Sequence, residues 1–153
     1  MFAGFAIARE DPRTPDVRAL LGELDAYLHA LYPAESNHIM DVDSLALPEV
    51  AVFVVRREGT PVGCVAIVNR GDYGELKRLY VRPANRGQGL SRILLAQLET
   101  AARLMGLSLI RLETGTLQPE ALGFFEASGF ARRGPFGDYP VDDPYCVFME
   151  KAL

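Results

Sequence analysis

Arg86-Gly87-Gln88-Gly89-Leu90-Ser91 stands between a strand-like run, Glu75 to Val81, and an amphipathic helix pattern. This order of strand, glycine turn and helix constrains the fold more than any other feature of the chain. Two glycines remove the Cβ atoms that keep an anion off the backbone, and the helix behind them offers unpaired N–H groups and the positive end of its dipole. A pyrophosphate suits such a turn. Two other phosphate loops are excluded by the letters. A P-loop needs Lys-Ser or Lys-Thr, a pair found nowhere in the chain. A dinucleotide fingerprint beginning at Gly87 needs a small residue where Arg92 stands, and belongs in the first βα unit rather than past the middle.

The rest of the chain alternates between the two hydrophobic periods. Phe2 to Ala8 reads as a strand. Thr14 as N-cap and Pro15 at the first helical position open a helix whose apolar residues Val17, Leu20, Leu21, Leu24, Leu28 and Leu31 fall on one face, and Pro33 stops it. Residues 32–48 are polar and irregular, with room for a short helical turn. Val50 to Arg57 and Val62 to Asn69 are β-branched runs joined by Glu58-Gly59-Thr60-Pro61, a hairpin. Glu75 to Val81 follows as a strand. From Ser91, the residues Leu94, Leu95, Leu98, Ala101, Ala102 and Met105 make a helix that Gly106 ends. Leu109 to Thr114 is a strand, Pro119 opens a short helix that Gly129 closes, and Cys146 to Lys151 is the last strand. The order predicts an α/β fold, a mixed sheet with helices on both faces, in a single domain over 1–153.

Charge and cysteines narrow the function classes. A net charge of −4 lacks the basic surplus of a non-specific nucleic-acid binder, so no nucleic acid is expected. No apolar run approaches the ~20 residues of a membrane span, and Met1 to Ala8 suits a first strand better than a signal peptide, so a cytoplasmic protein without a membrane partner is expected. Cys64 and Cys146 sit in apolar strand-like runs and read as free buried thiols. With no clustered histidines they make no zinc site, and no metal is expected.

The turn resembles a specific family. Arg86, Gly89 and Ser91 match the pattern [Q/R]-x-x-G-x-[G/A] of the GNAT superfamily of acetyl-CoA-dependent N-acetyltransferases, with Ser for the final small residue. Leu79-Tyr80-Val81-Arg82-Pro83 before it and Phe124-Phe125-Glu126-Ala127-Ser128-Gly129-Phe130 after it are similar to that family in the same order. The resemblance implies the GNAT fold, a sheet splayed between its fourth and fifth strands, Glu75–Val81 and Leu109–Thr114, with the pantetheine arm of acetyl-CoA in the gap. It implies a pyrophosphate on Arg86, Gly87, Gln88, Gly89, Leu90 and Ser91. Backbone N–H groups at Leu79, Tyr80 and Val81 are implied to polarise the thioester carbonyl. Gln118 takes the place of an Asn that reaches the cofactor, and Phe125 packs beside it.

Acyl transfer to an amine needs a fixed carbonyl, a route for the amine's proton and a tolerable leaving thiol. Glu75 falls where the histone-acetylating branch of the family carries a catalytic glutamate. Even alternation puts Glu75, Lys77, Leu79 and Val81 on one face of their strand. His38 is the rival base, by its intrinsic pKa and its polar segment; a water wire is a third route. Phe125 replaces the family's acidic tyrosine, so Tyr139 or Tyr80 is the alternative proton donor. The expected activity is transfer of an acetyl group from acetyl-CoA to a primary amine of a small molecule or peptide, by direct attack in a ternary complex. Two rivals keep the same cleft: a non-catalytic acyl-CoA-binding or sensing module, and an O-acyl or longer-chain acyltransferase. Homodimerisation is left open.

Overall fold

In the computed structural model, residues 4–153 are described; the first three residues of the chain, with the Phe2 end of the expected first strand, lie outside them. The elements run β1 (Phe5–Arg9), α1 (Pro15–Leu31), α2 (Val42–Leu45), β2 (Val50–Arg57), β3 (Thr60–Asn69), β4 (Gly74–Val81), α3 (Leu90–Leu104), β5 (Leu109–Gly115), α4 (Pro119–Ala127), β6 (Ala131–Arg133) and β7 (Cys146–Ala152). Single 3₁₀ turns occupy Ala34–Ser36 and Pro83–Asn85. The seven strands form one mixed sheet in the order β1-β2-β3-β4-β5-β7-β6, antiparallel throughout except where β4 meets β5.

Local chemistry sets several boundaries. The β2–β3 hairpin turns on Glu58 and Gly59, both at positive φ (48° and 85°), the two-residue turn that matches strand twist. The second strand therefore starts at Thr60 rather than Val62, and Pro61 is tolerated because the register shifts between Val55 and Arg56. Thr14 stands at the N-cap of α1, but its hydroxyl bonds Asp16 Oδ1 at 3.1 Å and caps no backbone N–H. Pro15, with its preset φ, opens the helix.

Each face of the sheet carries its own core. Val17, Leu20, Leu21 and Leu24 of α1 pack on Val50, Val52, Val54, Cys64, Ala66, Val68 and Tyr80. Leu90, Leu94, Leu95, Leu98 and Ala102 of α3 pack on the opposite face with Val55, Val65, Leu76, Val81 and Ile110, and α4 adds Phe125 there.

Two irregularities make the site. β4 and β5 pair only at Gly74–Ile110, Glu75–Arg111 and Leu76–Leu112, then part, while β4 stays on β3 as far as Val81 and β5 stays on β7 as far as Gly115. The second is a bulge in β4. Cys64 faces Tyr80 and Ala66 faces Lys77, with Arg78 between them at φ +61°. A bulge sends two successive side chains to one face, so the even alternation expected over this strand fails. Leu79 and Val81 turn to the α3 side with Leu76, while Tyr80 joins the α1 side and Arg78 reaches Asp25 of α1.

Candidate active site

The parting of β4 from β5 opens a cavity walled by Lys77, Arg78 and Leu79 on one strand and Glu113 and Thr114 on the other. Leu24, Leu28, His38 and Met40 roof it from the α1 side, and Gln118, Phe125 and Tyr139 line its remainder. A groove runs on from it. Leu79 and Gln118 border both hollows, and Tyr80, Val81, Arg86, Ser91 and Phe124 continue the second towards the glycine turn. The expected cofactor residues Leu79, Tyr80, Val81, Arg86, Ser91 and Gln118 thus border one continuous path.

Gly87 and Gly89 hold φ of +77° and +80°. A Cβ on Gly87 would meet nothing within 4 Å, so the turn requires glycine there for its backbone conformation and not for space within the protein. Gly89 is the N-cap of α3, and no side chain caps the helix start, which leaves its first-turn N–H groups without that partner. Leu90 is buried in the α3 core, so only its backbone is on offer to a ligand. Arg86 donates from Nε to Val81 O at 3.0 Å and lies 5.9 Å from the centre of the Tyr80 ring. It braces the turn against the end of β4.

Glu75, Tyr139 and His38 form one contiguous cluster. Glu75 is 2 % exposed; its Oε1 accepts from Arg70 Nε at 3.1 Å and its Oε2 from Tyr139 Oη at 2.5 Å. Lys77 Nζ donates to Tyr139 Oη at 2.8 Å and lies 3.3 Å from Glu75 Oε2. Burial, and then the negative charge of Glu75, push the Tyr139 phenol well above its usual range. His38 sets its ring edge-on to Tyr139 at 5.5 Å, and its Nε2 lies 3.5 Å from Asp143 Oδ2 without a hydrogen bond. The Glu75 carboxylate sits in a side hollow behind Lys77 and Tyr139 rather than on the wall of the β4–β5 cavity.

Four further residues complete the site. Glu113 lines the cavity, and burial raises its carboxyl from 4.5 to about 7 against the opposing charge of Lys77. Tyr32 lies across the end of β5, donates to Gln118 Oε1 at 3.0 Å and accepts from Leu117 N–H at 3.2 Å. Asp143 accepts from Ser36 Oγ at 3.1 Å and from Tyr145 N–H at 2.9 Å, tying the segment after α1 to the loop before β7. Cys146 is half-buried, and burial followed by the charges of Glu113 and Asp143 raises its thiol to about 12. Both cysteines are free, and among the described residues His38, Asp143 and Cys146 bring ligand-type atoms within 4.8 Å of one another. His38 is more than a hundred residues from the other two, a distance that gives no spacing signal. Lys77, Arg78 and Leu79 on β4 and Glu113 on β5 thus face the same cavity, with the Arg78 guanidinium buried against Asp25 of α1.

The family model for the GNAT acetyltransferases matches residues 18–130. The chain belongs to that family. An IAA acetyltransferase of Azospirillum brasilense is 50 % identical over 149 residues, 96 % of this chain and 97 % of that one. A Klebsiella pneumoniae protein described as an acyl-CoA N-acyltransferase has a crystal structure with a TM-score of 0.82 at 35 % identity, covering 97 % of both chains. A Thermoplasma acidophilum N-acetyltransferase solved with coenzyme A bound superposes with a TM-score of 0.70 at 16 % identity over 97 % of this chain and 99 % of that one, a likeness of fold. The GNAT fold, with its parallel β4–β5 pair, and the acyltransferase class are those that the sequence resemblance implies. No helix of the described residues is long and apolar enough to cross a membrane.

Proposed function

We propose that this GNAT enzyme transfers the acetyl group of acetyl-CoA to a primary amine by direct attack within a ternary complex. The observation that carries the reading is the separation of β4 from β5 after Leu76 and Leu112, which leaves one edge of residues 77–81 without a strand partner among the described residues, at the head of a groove that ends on the glycine turn. An extended amide-bearing chain such as pantetheine completes a sheet edge of that kind. The N–H groups of the turn from Arg86 to Ser91 and the first turn of α3 suit a pyrophosphate. Acetyl-CoA supplies an activated thioester carbonyl, and Leu79 and Val81 offer backbone N–H groups on the open edge, whereas Tyr80 shares with Arg82, whose N–H donates to Val62 O at 2.8 Å, the edge that faces β3.

The amine must arrive at that carbonyl and shed a proton. Glu113 is better placed for this than Glu75 or His38. Its carboxyl lies on the cavity wall, and with its pKa raised to about 7 it is close to evenly divided between acid and base at neutral pH. Both oxygens of Glu75 are already engaged by Arg70, Tyr139 and Lys77, so Glu75 serves best by holding Lys77 and Tyr139 in place. Nitrogen bonds to the acetyl carbon, the C–S bond breaks, Glu113 takes the amine proton, and CoA leaves as a thiolate that solvent protonates.

The test is an amine panel scored for released CoA thiol, with acetyl-CoA binding measured in parallel. Thiol release that depends on an amine supports the reading. Tight acetyl-CoA binding without turnover for any amine would replace it with a sensing module.

A further inference from the structure

Arg56 and Arg78 are the same side chain in two states of occupancy. Arg56 gives Nη1 to Asp16 at 2.8 Å and presents its other edge, Nε and Nη2, to the two oxygens of Glu10 at 2.9 and 2.7 Å. Arg78 likewise gives Nη1 to an aspartate, Asp25 of α1. Its Nε and Nη2 are buried and have no hydrogen-bond partner among the described residues. The Nε–Nη2 edge carries two parallel N–H groups whose spacing matches the two oxygens of a carboxylate. Leaving such donors buried and unpaired is costly. Here the costly group is also one that the chain holds in a sparsely populated conformation, at φ +61° in the β4 bulge, with its side chain only 4 % exposed. Strain and two unpaired buried donors at one residue on a cavity wall mark a binding position.

The remaining charges of the cavity do not fill that edge. Lys77 is committed to Tyr139 and Glu75. Glu113 stands on the opposite strand, and the roof combines the apolar Leu24, Leu28 and Met40 with His38.

We propose that the acceptor of this enzyme is an amine that also carries a carboxylate and an apolar body, an amino acid with an apolar side chain being the simplest such molecule. The carboxylate takes Nε and Nη2 of Arg78 side-on, as Glu10 takes Arg56; the apolar body lies against Leu24, Leu28 and Met40; the amine faces Glu113. Both nitrogens lie beneath the cavity surface, so the carboxylate reaches them by displacing side chains of the lining, of which Met40 is the most adaptable. The carboxylate site stands on the geometry of Arg78, and only the fate of the amine rests on the acetyl-transfer reading.

The experiment titrates the CoA-saturated protein calorimetrically with L-leucine, L-methionine and L-phenylalanine, and with the amide and the decarboxylated amine of each. The acid of at least one trio is expected to bind about 10²-fold or more tightly than its own amide. Arg78→Gln should abolish that preference, and Arg78→Lys should restore only part of it, because an ammonium cannot form the two parallel bonds. Retained CoA affinity shows that the variants fold, and the acid-to-amide comparison in the unaltered protein does not depend on them. Equal or undetectable binding of acid and amide in every trio overturns the carboxylate site. Release of CoA thiol is scored separately. Preferential acid binding without thiol release keeps the site and overturns acetyl transfer; equal thiol release from acid, amide and amine does the reverse.

Discussion

A Cβ on Gly115 would stand 1.9 Å from the phenol oxygen of Tyr32 and 2.3 Å from its Cζ. The last residue of β5 is therefore glycine so that a ring from the end of α1 can lie over it. From there Tyr32 bonds Leu117 and Gln118, which fixes the start of α4 against the cavity. Gly115→Ala should expel the phenol and cost about 2–4 kcal/mol of stability, the sum of overpacking and two lost hydrogen bonds. Tyr32→Phe should cost about 1 kcal/mol. Denaturant unfolding measures both. In a Tyr32→Ala background the Gly115→Ala change should be nearly silent, and a cycle without coupling would refute the contact.

The glycine turn makes a second prediction. Gly89→Val places a β-branched residue at φ +80°, where only glycine is at ease. It should lower acetyl-CoA affinity by about 10²-fold or more in calorimetric titration. Gly87→Ala meets no neighbour and should cost only the backbone penalty, about 1–2 kcal/mol. Arg86→Ala loses its brace on Val81 O and a cation beside the groove, and should weaken binding by about 1–3 kcal/mol. Unchanged affinity in Gly89→Val would remove the pyrophosphate from this turn.

If Glu113 takes the amine proton, kcat/KM should climb as pH rises through about 7 and level off above it, because the carboxyl must be ionised to act. Glu113→Gln should remove that limb and lower turnover by about 10²–10⁴. A separate stability effect has a definite sign. The folded carboxyl holds its proton to about pH 7 and the unfolded one only to about 4.5, so stability should fall as pH rises between these values and stay low above them. The Gln variant should lack this fall in pH-dependent unfolding. A limb that survives Glu113→Gln and disappears in Glu75→Gln or His38→Ala returns the role to one of those residues.

Much of this fold is written in local patterns. Apolar periodicity in α1 and α3, the β-branched runs of β2 and β3, and glycines at the ends of turns are signals that a short window contains. The glycine turn is legible for the same reason. The cavity is not. Arg78 turns to the α1 side only because of a bulge, and a bulge is a mismatch between β3 and β4 that neither strand carries alone. Glu113 can be named beside Lys77 and Arg78 as a residue that sets the acceptor's charge, but which of them lines the cavity is decided only by the parting of β4 from β5. Tyr32 and Gly115, and likewise His38 with Asp143 and Cys146, meet across more than eighty residues of chain, where no spacing rule reaches.

Tyr139 poses the sharpest chemical question, since the chain has Phe125 where its family resemblance expects a proton-donating tyrosine. Its hydroxyl donates at 2.5 Å to Glu75 Oε2 and accepts from Lys77, and its pKa is pushed up, so its proton is held more firmly than in a free phenol. A CoA thiol resembles cysteine, with a pKa near about 8.5, and its anion leaves without help from so reluctant an acid. Tyr139→Phe should therefore lower turnover by less than about 10², while costing about 1.5–3 kcal/mol of stability, as a charged partner loses its hydrogen bond. Phe125→Tyr should change single-turnover rates little, because Phe125 is buried against Phe130 at 5.5 Å and serves as packing. Tyr80→Phe removes a hydroxyl that reaches Glu23 at 3.4 Å and should be similarly mild. A fall beyond a hundredfold in either Tyr→Phe variant, with cofactor and acceptor binding intact, would mean that the proton held between Tyr139 and Glu75, or the one on Tyr80, does reach the departing sulfur.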